Sequence, residues 1–175
     1  MKKIILAIET SSNICSVSLF RDGENIDVIE NLINKKHDEI LSEYTQSILK
    51  NNRLKVIDIN TISVSIGPGS FTGLRVGLSF AKGLAYAIKC SIVPVPTILS
   101  LAYSLKDEKP LNGIIHSHSN KVFFQEFNWY KGIPSIKNKP ILGSINDFKD
   151  KIRYGFQFNC EKILKNRNKI FNVSP

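Results

Sequence analysis

Residues 61–96, TISVSIGPGSFTGLRVGLSFAKGLAYAIKCSIVPVP, constrain the fold of this chain more than any other stretch. A short β-branched run breaks at a glycine–proline turn, a long apolar helical pattern follows, and a second run ends in two prolines. This reads as strand, turn, helix, strand. Upstream, IILAIETSS is a continuous apolar strand, and CSVSLFRDGENIDVIENLI alternates Cys15, Val17 and Leu19 before a turn at Asp22-Gly23, giving two or three antiparallel strands. From Asp38, Leu41, Tyr44, Ile48 and Leu49 recur at helical spacing up to Asn51-Asn52, with Asp38 and Glu39 suited to the positive end of the helix dipole. The order β-β-β-α-β-α-β makes an α/β lobe built on a mixed sheet with helices on at least one face.

The turn IGPGSFTG has its own chemistry. Gly67 and Gly69 permit unusual backbone angles, Pro68 stiffens the turn, and Ser70 or Thr72 can cap the helix. Amides left free there would suit a phosphate. The spacing matches neither a P-loop nor GxGxxG, so a plain strand-to-helix corner and a phosphate cradle both stay open. Along the helix, Gly73, Gly77, Ala81 and Ala85 fall at successive i+4 positions and draw a ridge of small side chains that invites close approach of another helix. That helix is either residues 38–51 of the same chain or part of another subunit. Arg75, Lys82 and Lys89 argue against a membrane setting for the ridge.

Composition narrows the classes further. The chain has 175 residues, 42% hydrophobic and 22% charged, which excludes disorder, collagen and coiled coil. The net charge of +9 is concentrated after residue 100, where 13 basic residues face 6 acidic ones. Such a half can attract phosphate backbones, and compositional bias produces the same pattern. Cys15, Cys90 and Cys160 form no paired framework and read as reduced thiols in a cytoplasmic protein. The run Ile4 to Ile8 is too short for a signal peptide, and nothing approaches a membrane span. His116 and His118, two apart on a predicted strand, share a face but lack a third metal ligand; His37 suits helix packing or capping. DEKPLNG reads as a linker, after which a hairpin and the short GSINDFKDKI helix make a small second lobe. The expected domains are 1–105 and 106–175.

The segments ILAIETSSNICSVSLF, HDEIL and SVSIGPGSFTGLRVGLSFAKGLAYAI, in that order, resemble the bacterial TsaB (YeaZ) family, firmly over residues 3 to about 104. The resemblance implies the actin-like/Hsp70-like ATPase superfamily fold with ribonuclease H-like lobes. It also implies a non-catalytic, dimerising partner of TsaD, acting with TsaE on tRNA, in threonylcarbamoylation of N6 of adenosine 37 in tRNAs reading ANN codons. The contact is implied to be a bundle of two helices from each subunit, mapping onto residues 38–51 and 72–89. The expected partner-facing residues are Leu41, Tyr44, Ile48, Gly73, Leu74, Gly77, Leu78, Ala81 and Ala85, and the same face would serve a homodimer.

Proteins of the TsaD type carry a His-x-x-x-His metal motif where this chain has Thr97 and Leu101, so no metal and no catalysis are expected, despite the older M22 glycoprotease label. The superfamily's first phosphate turn is replaced by Glu9, Thr10, Ser11 and Ser12, without glycine. At most weak ATP or ADP binding is expected around Glu9, Thr10, Ser11 and Gly67, Pro68, Gly69 and Ser70. A stand-alone ATPase or phosphotransferase is the alternative. In the second lobe His116-Ser117-His118 and Lys121-Val122-Phe123 stand where the family usually has Asp-Ala-Arg and Glu-Val-Tyr.

Overall fold

The computed structural model describes residues 3–32, 37–148, 150–152, 154–158, 160 and 170–173, with the side chains of 37, 38 and 170–173 excepted. It divides into two compact units, Met1–Val95 and Pro96–Pro175. The linker-like composition after residue 105 therefore does not mark the division, which falls ten residues earlier.

The first unit carries β1 (Ile4–Glu9), β2 (Ile14–Arg21), β3 (Glu24–Leu32), α1 (His37–Asn51), a 3-10 turn (Val56–Asp58), β4 (Thr61–Ser65), α2 (Phe71–Ile88) and β5 (Ser91–Val95). This is the expected order, with helix bounds within a residue of those read from periodicity. The sheet runs β3-β2-β1-β4-β5, antiparallel through β1, β2 and β3 and parallel from β1 to β4 and β5. That mixed arrangement is the ribonuclease H-like lobe. The β2–β3 hairpin turns at Asp22 and Gly23, both with positive φ (54° and 92°), as a tight two-residue hairpin requires. Alternation places Ile4, Leu6 and Ile8 of β1 on one face with Cys15, Val17 and Leu19 of β2. Leu41, Ile48 and Leu49 of α1 and Ala81 and Ala85 of α2 complete that core. Each fully buried Leu or Ile there contributes roughly 1.5–3 kcal/mol.

The second unit begins with α3 (Thr97–Ser104), which the sequence reading missed. It continues through β6 (Asn112–His118), β7 (Lys121–Tyr130), β8 (Ile133–Ile136), β9 (Ile141–Ser144), a single turn α4 (Ile145–Phe148), β10 (Gly155–Phe158) and β11 (Ile170–Val173). The sheet runs β11-β10-β6-β7-β8, and β9 pairs with the first half of β7. Ile98 and Ala102 of α3 are buried with Ile115, Phe127, Phe156 and Phe158, which is why α3 belongs to this unit. A separate cluster joins Ile114, Val122, Phe124, Ile145, Phe148, Ile152 and Cys160, with the rings of Phe124 and Phe148 stacked at 4.8 Å. The GSINDFKDKI segment forms only the four residues of α4, as expected. Whether a long helix closes this unit falls partly on residues 161–169, outside the described residues. No described helix is long and apolar enough to cross a membrane.

Candidate functional site

The strand-to-helix corner is closed by the chain's own groups. Gly67 has φ of 94° and precedes a cis peptide bond to Pro68, whereas Gly69 is required for space: a Cβ there would overlap the carbonyl oxygen of Ser11. The Ser70 amide donates to that same carbonyl at 2.6 Å, and the Gly73 amide donates to the Ser70 hydroxyl at 3.2 Å, making Ser70 the N-cap of α2. Thr10 Oγ1 donates to the Gly73 carbonyl at 2.8 Å. Glu9 accepts from the Ser11 amide on one oxygen and from the Ser65 hydroxyl at 2.6 Å on the other. The expectation of amides pointing free from this turn fails at Ser70 and Gly73. Where a phosphate would have to approach them, the Ser11 carbonyl already takes the Ser70 amide and the Ser70 hydroxyl the Gly73 amide, with the Glu9 carboxylate on the adjoining segment.

The same segment accounts for the small-residue ridge. A Cβ on Gly73 would strike the Thr10 carbonyl oxygen, and one on Gly77 would strike Thr10 Oγ1. Ala81 and Ala85 continue the line into the apolar core. Gly73, Gly77, Ala81 and Ala85 are therefore buried within the first unit, and Leu41 and Ile48 are buried with them. Their assignment to a partner interface is corrected: α2 needs small residues because it crosses close over the end of β1. Of the remaining expected interface residues, Leu74 is half-buried and lies beside Gly67, and Leu78 packs against the first core. Tyr44 is half-buried and its hydroxyl accepts from Asn31 Nδ2 at 2.7 Å.

What α2 does expose is its opposite face. At 100° per residue, Phe71, Arg75, Ser79, Lys82, Gly83 and Tyr86 share one side of the helix, and all six are exposed. Phe71 is 68% and Tyr86 89% solvent-accessible. The Arg75 guanidinium lies 3.8 Å from the centroid of the Phe71 ring, and Arg75, Val76, Ser79 and Phe80 line an open depression of about 340 Å³. Residues 71–88 contain no Asp or Glu, so this face is aromatic and cationic. A helical projection of the sequence carries these residues on the side away from the glycine ridge.

Thr97 and Leu101 fall on α3 one turn apart. The Thr97 hydroxyl is buried without a hydrogen-bond partner among the described residues, and Leu101 packs against the α3 cluster. With one hydroxyl and no second donor, these residues do not fit a metal ion. A register shift in the β6–β7 hairpin separates His116 from His118; His116 Nε2 donates to the Ser119 carbonyl at 3.0 Å, and His118 Nδ1 pairs with the Ser117 hydroxyl at 3.0 Å. No group of three His, Cys, Asp or Glu gathers among the described residues. The side chain of His37 lies outside them.

The three cysteines are free thiols. Burial, and secondarily the charge of Glu9, pushes the Cys15 thiol up from 9.0 to about 11, and burial does the same to Cys160. The unfolded chain ionises these thiols near pH 9 while the folded chain does not. Their stabilising contribution is thus fully present below pH 9 and is lost as pH rises from 9 towards 11. Denaturation midpoints measured between pH 8 and 11 should fall over that window, and less steeply in a Cys15→Ala variant. In native protein at pH 8, the half-buried Cys90 should alkylate before Cys15 or Cys160.

Fold and site together define an α/β chain with a ribonuclease H-like lobe, a corner filled by its own groups and an exposed aromatic helix face. Residues 28–134, well over half of the chain, match the family model described as TsaD: tRNA N6-adenosine threonylcarbamoyltransferase. The tRNA threonylcarbamoyladenosine biosynthesis protein TsaB of Haemophilus influenzae is 30% identical over 125 residues, covering 70% of this chain and 52% of that protein. Its Escherichia coli K12 counterpart is 36% identical over 98 residues, covering 56% and 42%. A Pseudomonas aeruginosa crystal structure, described as an uncharacterized protein with similarity to peptidase YEAZ, superposes with a TM-score of 0.82 at 19% identity, over 99% of this chain and 85% of that one. The chain belongs to the TsaB branch of this threonylcarbamoyltransferase family. It spans about half the length of these two curated relatives.

Proposed function

We propose that this chain works in the synthesis of threonylcarbamoyladenosine on tRNA as a non-catalytic subunit, and that the outer face of α2 docks onto TsaD. The observation that carries this reading is the exposed stripe of Phe71, Arg75 and Tyr86 beside the depression at Val76 and Phe80. Exposed aromatics with an arginine are the composition of interface hot spots. The partner surface that fits is a helix offering apolar side chains to the depression and carboxylates to Arg75 and Lys82. Transfer to N6 of adenosine 37 in tRNAs reading ANN codons then takes place on TsaD, with TsaE in the same assembly.

Two features of the chain favour a non-catalytic role. Thr97 and Leu101 cannot replace a pair of imidazoles, and the Glu9–Ser11 segment packs against the first turn of α2 and takes the Ser70 amide, so ATP or ADP binds only weakly. A homodimer through α2 is less favoured than the heterodimer, because a two-fold contact centred on Ser79 brings Arg75 and Lys82 of each copy towards those of the other.

The test is reconstitution of tRNA modification from purified TsaD, TsaE and this chain, omitting each in turn. Product should drop at least tenfold without this chain, and this chain alone should turn over no ATP. Full activity in its absence, or ATP hydrolysis by it alone, overturns the proposal.

A further inference from the structure

Six cations collect at one end of the first unit, the end where β1, β4 and β5 begin. Arg21 pairs with Ile4 at the start of β1, and Lys3 precedes it; the Asp22 amide donates to the Lys3 carbonyl at 3.0 Å. The Asn60 amide donates to the Ile4 carbonyl at 2.9 Å, and Thr61 pairs with both Ile5 and Ser91, so Lys89, two residues before Ser91, lies at the same end. From β2 to β5 is three inter-strand steps, roughly 14 Å at about 4.8 Å each. α1 ends here too, with Lys50 in its last turn; the Arg53 amide donates to the Lys50 carbonyl at 3.1 Å, and Lys55 opens the 3-10 turn.

The charged side-chain groups of Lys3, Arg21, Lys50, Arg53, Lys55 and Lys89 have no carboxylate within 4.0 Å among the described residues. The nearby acids Asp22 and Asp58 each turn a carboxylate oxygen to a backbone amide, that of Lys3 at 2.8 Å and that of Lys55 at 2.7 Å. Glu24, the cross-strand partner of Arg21, and Asp27, whose carboxylate accepts from Asn52 Nδ2 at 2.6 Å, add a third and a fourth negative charge at this end, leaving the cations in excess. Compensation of helix C-termini accounts for Lys50 and Lys89 but not for the other four. Arg53 and Lys89 also sit at φ of 57° and 56°, the left-handed region where Gly or Asn is favoured, so cationic side chains stand there at a conformational cost. Among them Ile57, 64% exposed, and Val56 offer apolar contact.

We infer that this end of the first unit is a contact surface for the phosphate backbone of RNA. The inference rests on the reading that the chain serves a tRNA-modifying assembly, and it assigns the RNA contact to the first unit rather than to the basic second half that composition singled out. An anionic membrane is a poorer occupant, since Val56 and Ile57 make too small an apolar wedge and the apolar residues of α1 are turned into the core.

The test is binding of an unmodified tRNA transcript by the full chain as a function of salt. The comparison is with Arg53→Asn/Lys55→Gln/Lys89→Asn, in which asparagine keeps the left-handed positions comfortable. Wild type should bind with log K falling linearly in log salt. The variant should bind at least tenfold more weakly at low salt, with a slope smaller by about 2–3 and an unchanged urea midpoint. Phe71→Ser/Tyr86→Ser should keep the wild-type slope while losing TsaD, so failure of docking and failure of RNA contact read out separately. An unaltered slope in the triple variant, absence of salt-dependent binding by wild type, or loss of binding only to vesicles containing phosphatidylserine would overturn the assignment.

Discussion

Replacing Gly73 by alanine should destabilise the first unit by about 3 kcal/mol, the upper end of the usual cost of overpacking. The added Cβ has to displace the carbonyl oxygen of Thr10, and a backbone carbonyl cannot rotate away as a side chain can. Working against this, alanine is favoured over glycine in a helix interior by up to about 1 kcal/mol. Gly83 on the same helix supplies the control, because no atom lies within 4 Å of a Cβ built there. Gly83→Ala should therefore stabilise by roughly 0.5–1 kcal/mol while Gly73→Ala destabilises. With an m-value of about 1–3 kcal/mol per molar urea, the Gly73 variant should lose on the order of 1–3 M in its midpoint. Equal effects of the two substitutions would refute the packing described for α2. Gly77→Leu belongs with Gly73: it would unfold the unit, so any loss of partner binding it caused would say nothing about an interface.

The double variant Phe71→Ser/Tyr86→Ser should weaken association with TsaD by at least 100-fold. Buried interface aromatics typically contribute 2 kcal/mol or more each, and about 1.4 kcal/mol is a factor of ten. Because both side chains are mostly exposed in the isolated chain, their loss should leave stability within about 0.5 kcal/mol of wild type. A binding isotherm and a urea titration on the same preparation separate the two quantities. Undiminished association would remove the outer face of α2 from the interface.

Much of the first unit was legible in the sequence because its punctuation is local. Asp22-Gly23 marks the hairpin, Ser70 caps α2, and the β-branched runs at 61–65 and 91–95 bracket the long helix. The i+4 row from Gly73 to Ala85 was also visible, but periodicity reports only that something packs close, not what. The answer lay in a contact between residues 10 and 73, which no local pattern encodes. Phe71 and Tyr86 were available on the same helical projection and were passed over, because exposed aromatics look like core residues when read singly. The helix at Thr97–Ser104 was hidden by the prolines before it: Pro94 and Pro96 announce a break, and Pro96 in fact stands at the helix N-cap. In the second unit a hairpin between residues 113 and 132 was apparent, whereas the pairing of β10 with β6 joins strands far apart in sequence. Charge counted over halves of the chain likewise missed the six cations that the sheet register gathers from residues 3 to 89.

The position of β1 in the middle of its sheet carries a consequence for how this protein emerges from the ribosome. Its neighbour β2 is made at once, but the opposite edge waits for Thr61–Ser65, and the helix that shields it comes later still. At about 5–20 residues per second, the nascent chain exposes one side of its most apolar strand for roughly 3–11 s. An unpaired strand edge of that kind is where a growing polypeptide pairs with its neighbours on a polysome. Swapping codons between residues 10 and 60 for slower ones would lengthen that interval without changing a single atom of the finished molecule.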